Sequence, residues 1–139
     1  MSLAQIESAL IAAYEGAGLG LATAYENRDF DPPNESAWAA LYVIPNQPEV
    51  ITLGNGGEDD HSGILQINLN YPLNAGNGAV LAMADAIRDV FEAGVDLTYE
   101  DQVVVITGCG RSSGARELGM YKIILSITWY ARTTRKIGV

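Results

Sequence analysis

The chain has 139 residues, of which 48% are hydrophobic and 18% charged, a composition that excludes a disordered or fibrous protein and supports a core without disulfide or metal staples. Its net charge of −9 excludes a surface that wraps nucleic acid throughout, because phosphate binding rests on clustered Lys and Arg. That total hides a split: residues 1–107 carry 16 acidic and 2 basic side chains, net −14, whereas residues 108–139 carry 1 acidic and 6 basic, net +5. Cys109 is the only cysteine, so no intrachain disulfide and no cysteine-based zinc motif can form within one chain, and a reducing compartment is the simpler expectation. The start, Met1-Ser2-Leu3-Ala4-Gln5, lacks the basic and apolar stretches of a secretory signal, and no run approaches the roughly 18 apolar residues of a membrane span. A soluble protein made in the cytoplasm is expected.

In chain order, Leu3, Ile6, Leu10, Ala13 and Tyr14 recur at helical spacing, with Ser2 and Gln5 placed for a capping box and glycines 16, 18 and 20 as the stop. Residues 26–37 hold Asp31-Pro32-Pro33-Asn34 and read as an extended connection. Trp38 to Ile44 and Val50 to Leu53 read as strands, and the acidic, glycine-rich residues 54–61 as a loop. From Ser62 to Tyr71 the chain alternates, with Leu65, Ile67, Leu69 and Tyr71 on one face. A turn over 74–78 leads to a second helix whose stripe is Val80, Met83, Ala84, Ile87, Val90 and Phe91, and whose wet side is Asp85, Arg88, Asp89 and Glu92. Gly94 stops it. Val95 to Tyr99 and Gln102 to Thr107 form a hairpin about Glu100-Asp101, residues 108–119 a long glycine-rich loop, and Met120 to Ala131 a last strand with Tyr121, Ile123, Leu125, Ile127 and Trp129 on one face.

The fold class that follows is α+β: an antiparallel or mixed sheet with two helices packed on one face, in the order α-β-β-β-α-β-β-β. Residues 1–139 read as one domain, with 132–139 as a basic tail.

Glu58, Asp59, Asp60 and His61 place three carboxylates beside the only histidine, a set suited to a divalent cation. Adjacent residues of one loop rarely converge on one ion, so a solvated polar loop is the simpler reading and no metal is assigned. His61 as a general base lacks a recognisable nucleophile and orienting partner, so no catalytic residue is assigned either. The glycine patterns at 16–20 and 108–114 lack the strand–turn–helix context of a phosphate-binding turn, and no cofactor is expected. Cys109 lies near Arg111, a cation that would lower a thiol's pKa, although an incidental thiol is the simpler reading. Arg132, Thr133, Thr134, Arg135 and Lys136 read as a solvated end or as a docking segment for an acidic surface.

Several segments together resemble a tailed-bacteriophage family: Ala24-Tyr25-Glu26-Asn27 with Asp29-Phe30 and Pro32-Pro33, the stretch from Leu53-Gly54-Asn55-Gly56-Gly57 through Glu58-Asp59-Asp60-His61 to Ile67, Tyr71-Pro72-Leu73 with Gly76 and Gly78, and Trp129-Tyr130-Ala131-Arg132. The family is a phage-related domain first described without a function, and it is similar to the tail terminator, or tail-completion, proteins of long-tailed phages. The resemblance implies a structural virion protein, made in the host cytoplasm. Such a protein forms a hexameric ring on the tail tube, ends tube polymerisation and meets the head connector or neck protein. It implies ring and tube contacts at the loops Gly54 to His61 and Gly108 to Gly119. A ring needs two different surfaces on each subunit, and the charge split offers them. Arg111, Arg116, Arg132, Arg135 or Lys136 is therefore expected to meet a neighbour's acids, with Glu58, Asp59 and Asp60 first. Surplus negative charge facing the lumen would let DNA pass without sticking. The alternatives are another neck or head-completion component, and a metal-binding protein or enzyme centred on residues 58–61.

Overall fold

The computed structural model describes residues 3–26, 28–33, 36–46, 49–50, 57–73, 76, 78–112, 114–117 and 119–134. Helix α1 spans Leu3–Gly16 and buries Ile6, Ala9, Leu10 and Tyr14. It ends as glycine spacing dictates: Ala17 N–H donates to the Tyr14 carbonyl at 3.2 Å, Gly18 N–H to that of Glu15 at 3.2 Å, and Gly18 takes φ +62°. Gln5, expected in a capping box, reaches across the molecule instead; its Nε2 donates to Glu100 Oε2 at 2.7 Å and Asp101 Oδ1 at 3.4 Å. Ser2 lies outside the described residues.

The strands are β1 (Ala22–Ala24), β2 (Trp38–Pro45), β3 (Glu49–Val50), β4 (Glu58–Pro72), β5 (Asp96–Tyr99), β6 (Gln102–Arg111), β7 (Ala115–Glu117) and β8 (Met120–Thr134), with helix α2 (Gly78–Val90) between β4 and β5. They form one sheet in the order β1-β2-β4-β8-β6-β5, with β3 added to β4 and β7 to β8. Only the β1–β2 pair is parallel among the described pairings. The sheet is therefore mixed, and the helices lie on one face of it. Where β1 stops, the Glu26 carboxylate continues its role, accepting from the backbone N–H of Val43 on the β2 edge at 2.6 Å.

The core is the inner face of the sheet against the two helices. Leu65, Ile67 and Leu69 of β4, Ile123, Leu125, Ile127 and Trp129 of β8, and Val104 and Ile106 of β6 meet Ile6, Leu10, Val80, Ile87 and Phe91. Each such buried side chain contributes about 1.5–3 kcal/mol relative to exposure. β4 and β8 pair from Glu58↔Thr134 to Pro72↔Met120, which makes them the spine of the fold. Gly63 falls on the inward phase of β4 because there is no room for a side chain. A Cβ there would run into the Ile44 carbonyl and come within 2.8 Å of the Trp129 ring.

Four expectations change. Glu58 to His61 is strand, because Glu58 to His61 pair with Ala131 to Thr134 on β8 and Asp59 and Asp60 also pair with β3. Arg132 to Thr134 are accordingly strand rather than tail. The glycine-rich stretch from 108 continues β6 to Arg111 and returns through β7, shortening the expected loop. β1 and β7, three residues each, add to the six strands the sequence pattern shows. Of the strand expected over Val50 to Leu53, only Val50 falls among the described residues, where it belongs to β3. Within β6, a bulge at Thr107 breaks the alternation.

Candidate assembly interface

The period of two along β4 separates the acidic cluster into two sets. Glu58 and Asp60 emerge on the helix-free face, beside Arg132 of β8; Asp59 and His61 take the opposite phase, with Ala131 and Thr133. Arg132 Nε lies 2.9 Å from Asp60 Oδ1 and 3.3 Å from Glu58 Oε2. The Asp60 hydrogen bond and charge push the already high guanidinium pKa further up. On the inner side, His61 is buried and its Nε2 shares a 2.8 Å hydrogen bond with Thr133 Oγ1. The four residues weighed as metal-ligand candidates thus point two ways, and no group of three or more His, Cys, Asp or Glu side chains is arranged to hold an ion among the described residues.

Arg132, one of the cations expected to reach a neighbour, meets the carboxylates of its own chain. Its carbonyl is held as well. Gln102, fully buried, donates from Nε2 to the carbonyls of Val103 at 2.9 Å and Arg132 at 3.2 Å, standing in for the β6–β8 ladder where β6 begins. Arg111 and Arg116 are exposed at the other end of the strands. Gly54 to Gly56, Arg135 and Lys136 lie outside the described residues.

At Cys109 the neighbouring cation is not the one its sequence position suggests. Its thiol pKa is raised, because burial against the sheet outweighs the nearby charge, and the cation that opposes the shift is Arg88 of α2 rather than Arg111. A raised pKa disfavours the thiolate, the nucleophilic form of cysteine.

Two helices on one face leave the other face of the sheet uncovered, as expected, but the sequence pattern did not mark that face as a contact surface. Tyr42, Ile44, Val103 and Tyr130 are exposed there, and the helices leave it uncovered. Near its acidic end a groove of about 320 Å³ is floored by Val103, Val105 and Tyr130 and rimmed by Glu58, Asp101 and Arg132. The signal that would have found it is the half-polar phase of the strands, which places tyrosines and β-branched residues among Ser, Thr and Gln. Such a surface suits contact with another protein, being apolar enough to associate and polar enough to stay solvated alone.

A family model described as phage tail terminator protein matches residues 5–129. A search of curated proteins found no match. A solved structure with 18% sequence identity superposes with a TM-score of 0.70, covering 90% of this chain and 94% of that one, a likeness of fold.

Proposed function

The chain belongs to the phage tail terminator family and is a structural phage tail protein, and on that premise we propose that it closes the end of a tail tube as a ring of identical subunits. The ring is hexameric, ends polymerisation of the tube protein and presents its far side to the head connector or neck protein. In this reading residues 1–139 act as one domain, and its role is structural rather than catalytic. The observation that carries the ring is the sheet face that neither α1 nor α2 covers, with Tyr42, Ile44, Val103 and Tyr130 exposed among the described residues. A ring of identical subunits joins two different surfaces of each copy, and an uncovered face is one of them.

Glu58, Asp59, Asp60, His61, Arg111, Arg116, Arg132, Arg135 and Lys136 are the residues proposed for subunit or tube contacts. His61 acts from beneath the surface, by holding Thr133. Surplus acid facing the lumen repels phosphate, so DNA passes without specific binding.

Electron microscopy of tubes assembled with and without the protein tests this reading. One ring at a single end of each tube, with tube growth stopped there, is the expected result. Protein scattered along the tube wall, or unrestricted growth, would overturn it.

A further inference from the structure

The strand register separates the charges along the sheet. Glu58 and Asp60 with their partner Arg132, and Glu100 and Asp101 with Gln5, gather at one end, where β4 begins and β5 turns into β6. Arg111, Arg116 and Lys122 stand at the other end, with Glu117 in the same short strand as Arg116, and with Arg88 and Asp85 of α2 lining a pocket beside Arg111. Lys122 and Arg132 both lie on β8, ten residues apart, which is about 33 Å of extended chain. The apolar groove floored by Val103, Val105 and Tyr130 opens at the acidic end, so an occupant must bring both apolar contact and positive charge.

We propose that this groove docks the basic end of a second copy of the chain, placing Arg111 and Arg116 of one subunit against Glu58 and Asp101 of the next. The proposal rests on the ring reading and names the two surfaces that the ring joins. The chain carries both halves of the contact, and they sit at opposite ends of the same strands. A copy therefore cannot satisfy its own groove, and contact propagates head to tail. Arg132 belongs to the acceptor side, held by Asp60 and Glu58, and leaves the donor role to Arg111 and Arg116. Charge at the groove rim selects the partner and its orientation, while Val103, Val105 and Tyr130 supply the apolar area. Because the charges are exposed and the screening length is about 8 Å at physiological salt, association weakens as salt rises.

A charge exchange between two variants tests the contact. Arg111→Glu with Arg116→Glu makes both ends of a copy acidic, and Glu58→Lys with Asp101→Lys makes both ends basic. Each variant alone should self-associate roughly 100-fold more weakly than the parent in sedimentation or native mass measurements. An equimolar mixture should recover the parent's assembly, because every basic end then meets an acidic one. That rescue requires both variants to be folded, which circular dichroism checks independently. Parent-like assembly of either variant alone overturns the contact, and so does a mixture that stays dissociated. A parent chain that remains a monomer at every concentration overturns the ring reading itself.

Discussion

The middle of the β4–β8 pair and its acidic end use the same backbone ladder for different purposes. In the middle, Leu65, Ile67 and Leu69 face the helices beside Ile123, Leu125 and Ile127, all of them buried. At the end, the same two strands carry Asp60 against Arg132 on one face and His61 against Thr133 on the other. The middle is stabilised by removing apolar area from water. The end relies on polar partners matched across the strands, and it trades stability for a surface that another molecule can read.

The largest expected effect separates these two regions most sharply. Ile127→Ala, at a position without solvent exposure, should lower unfolding free energy by about 2–5 kcal/mol in urea denaturation. A loss no greater than that of an exposed replacement would show that the middle is not the core. Thr133→Val comes next. It keeps the shape but strands the buried His61 nitrogen, at a cost of about 1–3 kcal/mol, visible as a lower denaturation midpoint. An unchanged midpoint would mean that His61 has found water, and that the end of the ladder is open. The smallest effect belongs to Arg132→Gln. Its ion pairs are exposed, so thermal unfolding should hardly move, and the change should appear in assembly instead. A large drop in melting temperature would place Arg132 among the residues that hold the fold.

Much of this was legible in the sequence, for a physical reason. Buried strands must keep one face apolar, so Leu65 to Tyr71 and Tyr121 to Trp129 declared themselves by alternation, and Val80 to Phe91 by helical spacing. Glu58 to His61 did not, because Asp and neighbouring Gly are poor strand formers by local preference. Pairing with β8 on one side and β3 on the other overrides that preference. Gly108 and Gly110 misled in the same way: they suggest a loop, yet β6 runs through them to Arg111. The candidate site was visible only as a sum. The charge split could be counted, but the position of Arg132 among the acids depends on which residue of β8 lies opposite Asp60. That is information about register, not composition.

The bulge at Thr107 has a further effect on the charge pattern. Val104 and Ile106 face the helices, and strict alternation would turn Cys109 and Arg111 to the opposite side. One extra residue resets the phase, so that Cys109 comes opposite Ile127 and Arg111 opposite Leu125. The bulge thus works as a half-turn in the strand's frame: it steers a cation from one side of the sheet to the other without changing its place in the chain. Deleting Thr107 would let Gly108 follow Ile106 in regular alternation and keep Arg111 opposite Leu125, whereas a partner residue added opposite Thr107 on β8 would be needed to pair it.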